Sequence, residues 1–293
     1  MSTLNNDIKQ KLAHLNVLEK IIAVNVIIFF VGFILQALTS TLPSHSSLKW
    51  FELSSHLSEV LVTPWTFITY AFIHYDFIHM LFNMLWLYFI GKWFLNMFSK
   101  KLTINIYFLG AISGAVVFLL GYNLLPNVFH SGSRLVGASA AVRALLIFMC
   151  AYMPQMDLRF FTFNIKLWIV GAAMVAMDVL GLFGTNAGGN LAHIGGAALG
   201  FFYAMQYKKG VDIGKGFESI VDQVTGWFSK TKKSPLKTVH KKQADKKMAG
   251  FKKEEFDAFN KQKRIDIILD KISKSGYDSL TKEEKAFLFK AGK

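Results

Sequence analysis

The sequence has little cysteine and, over its first two thirds, little charge. Cys150 is the single cysteine among 293 residues, so an intramolecular disulfide is excluded. Residues 1–207 carry only 11 Lys/Arg and 7 Asp/Glu. An ordinary soluble domain is about 25% charged throughout its length. The scarcity of charge therefore argues against an ordinary soluble domain over residues 1–207.

The remaining residues have the opposite character. Residues 208–293 carry 22 Lys/Arg and 12 Asp/Glu, while the whole chain is 53% hydrophobic and contains 28 Phe. One soluble core would be overloaded by this apolar content, so we predict a polytopic membrane protein with a basic soluble tail. The basic run lacks interleaved aromatic side chains, so we expect it to lie beside the lipid bilayer and expect no nucleic-acid partner.

Six segments are apolar enough to cross a membrane. They occupy residues 21–38, 77–98, 102–120, 139–153, 167–183 and 190–207. We therefore expect an all-α fold in which six transmembrane helices form one bundle. Basic residues precede the first span, follow the sixth, and lie between the second and third and between the fourth and fifth. By the positive-inside rule, this distribution predicts that both termini are cytoplasmic.

The chain is predicted to have four parts. These are a cytoplasmic N-terminal segment at 1–20, a six-helix membrane domain at 21–207, an amphipathic helix and basic linker at 208–253, and a small helical cytoplasmic tail at 254–293. Residues 1–20 are polar and of mixed charge, so we expect no removable signal peptide. In the tail we predict one helix at 256–274, and a second that begins at the capping pattern Thr281-x-x-Glu284.

Polar residues within the predicted spans are candidates for function, because hydrocarbon penalises each one that has no partner. Ser139 opens the fourth span after Gly137, at a helix N-terminus whose N–H groups can stabilise an oxyanion. His193 shares one face of the sixth span with Gly196 and Gly200, which would let two helix backbones approach closely. These residues predict a serine nucleophile and a histidine general base.

His79 and Asn83 lie four residues apart on the second span and therefore share a face. Their side chains are candidate donors to the oxyanion, whereas we expect a structural role for His74. No carboxylate is spaced to orient His193 in the manner of a triad, so we predict a Ser-His dyad. We expect neither a metal nor a cofactor, because no metal-spaced Cys/His cluster is present.

The chain resembles the rhomboid family of intramembrane serine proteases, of bacterial type, over residues 15–207. Three motifs carry the resemblance: H-x-x-x-x-H-x-x-x-N from His74 to Asn83, G-x-S ending at Ser139, and A-H-x-x-G-x-x-x-G around His193. It implies the six-helix rhomboid bundle, multi-pass in the cytoplasmic (inner) membrane of the cell. It also implies Ser139 as nucleophile, His193 as base, His79 and Asn83 as oxyanion donors, and single-pass transmembrane proteins as substrates cleaved through an acyl-enzyme.

The sequence departs from the family pattern at Thr66, Leu95, Ala140 and Arg143. Arg143 matters most, because it replaces an aromatic residue and its charge disfavours an imidazolium at His193. The alternative interpretation is therefore an inactive rhomboid-like protein that binds membrane helices without cutting them. Asp178 on the fifth span is the deep charge of opposite sign, so we expect an Arg143–Asp178 ion pair inside the bundle.

Overall fold

The computed structural model describes residues 15–38, 48–129, 132–160, 163–228, 247–248 and 251–291. The chain divides into two compact units, Met1–Ser229 and Lys230–Lys293. The first unit contains the predicted membrane segments and the second contains the predicted tail. Each unit is described by itself.

In the described part of the first unit, nine α-helices follow the apolar pattern of the sequence. They are α1 Val17–Leu38, α2 Leu57–Val62, α3 Thr66–Thr69, α4 Phe77–Met97, α5 Lys100–Leu124, α6 Ser139–Tyr152, α7 Leu167–Gly181, α8 Ala187–Lys208 and α9 Lys215–Phe228. Side chains at the N-caps define where several of them begin. Asp76 accepts the backbone N–H of His79, and Ser99 accepts that of Leu102.

Among the described residues, three helices are long and apolar enough to cross a membrane, namely α1, α4 and α5. Helices α6 and α7 are apolar but shorter, with 14 and 15 residues. Helix α8 has 22 residues, and its glycines, asparagine and histidine make it less apolar. The structure therefore shows a helical membrane protein in which three spans are evident from length and composition.

The described residues are mostly helical, as expected, and short antiparallel strands connect some of the helices. Strands β1 Leu53–Ser54 and β2 Arg134–Leu135 pair with each other, as do β3 Asp157–Phe160 and β4 Phe163–Lys166. The first pair ties the long connection after α1 to the segment that leads into α6. The second pair lies between α6 and α7.

The centre of the first unit is the contact of α5, α6 and α8. Gly110 and Gly114 on α5 face α6 so closely that an added Cβ would lie 2.4 Å from the Cβ of Ala144 and 2.6 Å from that of Ala140, respectively. Large aromatic side chains such as Tyr107 fill the space around these contacts and are fully buried. Small residues thus permit close backbone approach, as membrane helix packing requires.

Helix α9 corresponds to the amphipathic helix predicted after the last span. Glu218 fixes it to α5, since its carboxylate accepts hydrogen bonds from Lys101 Nζ at 3.1 Å and from Asn105 Nδ2 at 2.9 Å. Asn105 is buried, so this contact satisfies a polar group that would otherwise be costly. The contact holds the start of α9 against the beginning of α5.

In its described residues, the second unit contains a two-stranded hairpin and two α-helices. Its elements are β5 Lys247–Met248, β6 Phe251–Lys252, α10 Lys253–Ser275 and α11 Lys282–Ala291. The predicted capping pattern is confirmed: Glu284 N–H donates to Thr281 Oγ1 at 3.2 Å, and Thr281 N–H donates to the Glu284 carboxylate at 2.8 Å. Most of the basic linker predicted at 230–253 lies outside the described residues.

Candidate active site

Helices α6 and α8 are in direct backbone contact beside the candidate nucleophile. A Cβ added to Gly196 would lie 2.1 Å from the carbonyl oxygen of Ala140, and one added to Gly200 would lie 2.3 Å from that of Ala144. No larger residue fits at either position without movement of the backbone. Since Ala140 follows Ser139, and His193 lies one helical turn before Gly196, this contact brings the candidate base to the N-terminal end of α6.

Ser139 is the first residue of α6 and is partly exposed. The turn before it depends on Gly137, whose φ of 111° lies in a region that residues with a side chain rarely adopt. Gly137 N–H donates to the Tyr70 carbonyl at 2.9 Å, which fixes this turn to the connection before α4. Among the described residues, the Ser139 hydroxyl has no hydrogen-bond partner.

His193 is held by a carboxylate. Its Nδ1 lies 2.9 Å from Asp178 Oδ1, and the same oxygen accepts a hydrogen bond from an Nη of Arg143 at 2.8 Å. The predicted ion pair between Arg143 and Asp178 is therefore confirmed. The statement that no carboxylate is available to orient His193 is wrong, because α7 and α8 pack in a register that places Asp178 against the imidazole.

The sequence contained a signal for the ion pair, since Asp178 and Arg143 are the only charges of opposite sign deep in the predicted spans. It did not contain the register between α7 and α8. The Arg143 Nη also lies 3.5 Å from His193 Nδ1, at the limit of a hydrogen bond. The three polar side chains thus form one cluster across α6, α7 and α8.

His79 faces the turn before the nucleophile. A Cβ added to Gly137 would lie 2.8 Å from His79 Cε1 and 3.0 Å from its Nε2. The structure therefore brings the edge of this imidazole to the same turn as Ser139. His79 itself is an exposed residue of α4.

Asn83 is also near the site, but its amide group already has partners. Its Nδ2 donates to the carbonyl of His79 at 3.1 Å and lies 3.2 Å from Nε2 of His74. An amide group has two N–H donors, so both are engaged in this arrangement. Donation from Asn83 to an oxyanion would require exchange of one of these hydrogen bonds.

His74 organises this part of the site. It is buried, and its Nε2 accepts the backbone N–H of Ala138 at 3.3 Å, in addition to its contact with Asn83. Burial, followed by the nearby His79, lowers the pKa of His74 and keeps its imidazole neutral at pH 7. The structural role expected for His74 agrees with these contacts, since the ring links α4 to the residue before Ser139.

The part of the chain that the structure describes contains no group of three or more His, Cys, Asp or Glu side chains suited to a metal ion. The chemistry available from the residues described above is that of hydroxyl, imidazole, carboxylate and backbone N–H groups. A partly exposed hydroxyl at a helix N-terminus, a carboxylate-bound imidazole on the helix packed against it, and backbone N–H donors are groups that acyl transfer uses.

Comparison with known proteins agrees with these observations. A family profile described as "Rhomboid domain" matches residues 62–209, and one described as "Family of unknown function (DUF6576)" matches residues 255–290. The chain is 29% identical over 159 residues to "RHOMBOID-like protein 12, mitochondrial" of Arabidopsis thaliana, a match that covers 50% of this chain and 47% of the plant protein. The chain thus spans about half the length of this relative. With its helical membrane architecture and a rhomboid domain over half of its length, the chain belongs to the rhomboid family.

Proposed function

We propose that the protein is an intramembrane serine endopeptidase that uses Ser139 as nucleophile and His193 as general base. The observation that carries this proposal is the contact of Gly196 with the Ala140 carbonyl, because it brings the helix that bears His193 against the start of the helix that bears Ser139. The hydrogen bond from His193 Nδ1 to Asp178 supports the proposal, since it leaves Nε2 as the acceptor for the serine proton.

The reaction proceeds in two halves. Ser139 Oγ forms a bond to the carbonyl carbon of the substrate peptide while His193 Nε2 takes the hydroxyl proton. The C–N bond of the tetrahedral intermediate then breaks, and His193 returns the proton to the leaving amine. Water, with His193 again as base, hydrolyses the resulting acyl-enzyme and regenerates the serine hydroxyl.

The negative oxygen of the intermediate is stabilised by donors at the start of α6. The first N–H groups of a helix have no acceptor within the helix, and the helix dipole favours negative charge there. His79 adds a side-chain donor, because its ring edge faces the turn at Gly137. Asn83 contributes after it releases its hydrogen bond to His74 or to the His79 carbonyl.

The substrates are single-pass transmembrane proteins, cut within or beside their membrane segments. Helices α1, α4, α5, α6, α7 and α8 form the six spans of the bundle, with both termini in the cytoplasm and the chain in the cytoplasmic membrane. Helix α6 has 14 residues and is therefore about 21 Å long, which is less than the hydrocarbon thickness of about 30 Å. Ser139 then lies below the external surface of the membrane. Water must therefore reach Ser139 from the external side.

Replacement of the nucleophile tests this function. Purified protein in detergent should cleave a transmembrane test substrate and react with a fluorophosphonate, in which the serine oxygen bonds to phosphorus and fluoride leaves. Ser139→Ala should abolish both reactions. Ser133→Ala is the matched control on the same connection. The backbone carbonyl of residue 133 accepts the Ser55 N–H, and this contact does not depend on the Ser133 side chain.

The second candidate is a rhomboid-like protein that binds transmembrane helices without cutting them. It is favoured by one observation, the guanidinium of Arg143 at 3.5 Å from His193 Nδ1, since a nearby positive charge opposes formation of the imidazolium. Equal fluorophosphonate labelling of wild type and Ser139→Ala would support this candidate. Cleavage that appears only in Arg143→Tyr would support it as well and would identify Arg143 as the cause.

A further inference from the structure

Asp178 is unusual among the residues of α7. The buried residues of this helix are Leu167, Gly171 and Asp178, and the carboxylate is only 2% exposed. A buried charge is costly unless it is paired and hydrogen-bonded. Arg143 provides the counter-charge at 2.8 Å, so the carboxylate is paired within the bundle.

The geometry of this ion pair differs from that of an optimal arginine–carboxylate pair. Arginine can bind a carboxylate through two parallel hydrogen bonds, which use both oxygens. Here Asp178 Oδ1 accepts from both Arg143 and His193, whereas Asp178 Oδ2 and Arg143 Nε are buried and have no hydrogen-bond partner among the described residues. The carboxylate is thus oriented so that the oxygen bound to the arginine also reaches the imidazole.

This orientation determines the tautomer of His193. An ionised carboxylate only accepts hydrogen bonds and a guanidinium only donates them. Asp178 Oδ1, at 2.9 Å, is closer to Nδ1 than the Arg143 Nη at 3.5 Å, so Nδ1 carries a proton and donates it to the carboxylate. In the neutral imidazole, the lone pair available to take a proton is then on Nε2.

We propose that Asp178 is a positioning residue for His193, and that Arg143 holds the Asp178 carboxylate in place for this task. The inference rests on the proposed function of Ser139 and His193. Asp178 keeps the imidazole in the tautomer that can remove the Ser139 proton, and its negative charge stabilises the imidazolium that forms. Arg143 offsets part of that stabilisation, so the two side chains act on His193 in opposite directions.

This opposition distinguishes positioning from a merely structural ion pair between α6 and α7. The charged and titratable groups that face His193 are Asp178 on α7, Arg143 on α6 and His79 on α4. Loss of either member of a structural ion pair would lower stability in the same way. Loss of Asp178 and loss of Arg143 have opposite electrostatic effects on the imidazolium, so only a positioning role moves the two pH profiles apart.

The test measures the rate of fluorophosphonate labelling between pH 5 and pH 9, with the full chain in detergent and Ser139→Ala as blank. Asp178→Asn should slow labelling by up to about 10⁴-fold, the loss seen when the carboxylate of a catalytic triad is replaced by an amide. It should also move the midpoint of the profile to lower pH, because the imidazolium loses its carboxylate and keeps the guanidinium. Arg143→Met should move the midpoint to higher pH.

Asp157→Asn is the matched control. It removes an exposed aspartate that pairs with Lys166 at 2.8 Å just before α7, so rate and midpoint should stay at wild-type values. Melting temperatures show that each variant is folded. Unchanged midpoints in both Asp178→Asn and Arg143→Met would overturn the positioning role while the proposed function stands. Absence of Ser139 labelling in wild type would overturn the proposed function, and the inference with it.

Discussion

Gly196 on α8 lies against the backbone carbonyl of Ala140 on α6, at a position where an added Cβ would be 2.1 Å from the oxygen. Backbone atoms cannot rotate away from such a clash, so the two helices must separate. Gly196→Ala should therefore lower the free energy of unfolding by about 1–3 kcal/mol, the usual result of overpacking a core. It should also slow the labelling of Ser139, because His193 moves with α8. Thermal unfolding in detergent and the labelling rate measure the two effects.

The control for this substitution is Gly216→Ala on α9. A Cβ at residue 216 would meet nothing within 4 Å, and alanine favours a helix over glycine by about 1 kcal/mol. This variant should be as stable as wild type or slightly more stable. If Gly196→Ala were as stable as Gly216→Ala, the contact between α6 and α8 would be looser than the structure indicates.

His74 should make the protein less stable in weak acid. Its folded pKa is lowered below the ordinary value of about 6.5, chiefly by burial. At a pH between the folded and the unfolded pKa, the unfolded chain binds a proton at His74 that the folded chain does not. Stability therefore falls as the pH falls below about 6.5. His74→Gln should reduce this loss between pH 7 and pH 5.

At pH 7, His74→Gln should itself cost about 1–2 kcal/mol, because the N–H of Ala138 and the amide of Asn83 lose a well-placed acceptor. His56→Gln is the control, since His56 is exposed before α2. Melting temperatures at pH 7 and pH 5 test both effects. An equal acid-induced decrease in wild type and His74→Gln would show that other groups cause it.

Arg134 joins the connection after α1 to the segment before Ser139. It donates to Glu59 at 2.7 Å and lies 3.7 Å from Glu52, whose carboxylate is buried and also accepts a hydrogen bond from Tyr75. Arg134→Gln should lower stability by about 1–3 kcal/mol, because it leaves a buried charge with a weaker set of partners. Arg159→Gln, which changes an exposed arginine on β3, should have little effect in the same unfolding experiment.

The same variant should change the response to stronger acid. Burial acts to raise the pKa of Glu59, but the hydrogen bond and charge of Arg134 outweigh it and lower the pKa below the ordinary value. The stability gained from this pair is present above about pH 4.3 and is lost as the pH falls through the lowered pKa. Arg134→Gln should lack this part of the acid dependence, which unfolding curves between pH 3 and pH 5 would detect.

The helices were predictable because apolar runs and polar interruptions mark them directly. The second predicted span, 77–98, corresponds to Phe77–Met97, and the fourth, 139–153, to Ser139–Tyr152. The ion pair of Arg143 with Asp178 was also predictable, because two opposite charges in an apolar environment strongly favour each other. The capping of α11 followed from a local pattern of four residues.

Contacts that depend on the register between distant segments were not predictable. The contact of Asp178 with His193 requires α7 and α8 to pack at one particular height, which the connection at 182–186 sets and the apolar pattern does not. The pairing of β1 with β2 joins Leu53 to Leu135, although four α-helices, α2 to α5, lie between them in the sequence. Likewise, the engagement of Asn83 with His74 depends on how the connection before α4 folds back onto it.

Glu284, a partly exposed residue, should stabilise the second unit. Its carboxylate accepts hydrogen bonds from Lys271 Nζ at 2.8 and 3.0 Å and from the backbone N–H of Thr281 at 2.8 Å. The hydrogen bond from Lys271, followed by the hydrogen bond from the Thr281 N–H, lowers the pKa of Glu284. Its stabilising effect is therefore present above about pH 4.3 and is lost as the pH falls through the lowered pKa.

Glu284→Ala should disconnect α10 from α11 and remove the cap of α11. Amide exchange over residues 277–291 should become faster, while Ser139 labelling should be unchanged. Glu283→Ala, in the same turn, should exchange like wild type, because the side chain of Glu283 has no hydrogen bond or ion pair to any described residue. Equal protection in the two variants would show that other contacts hold α10 and α11 together.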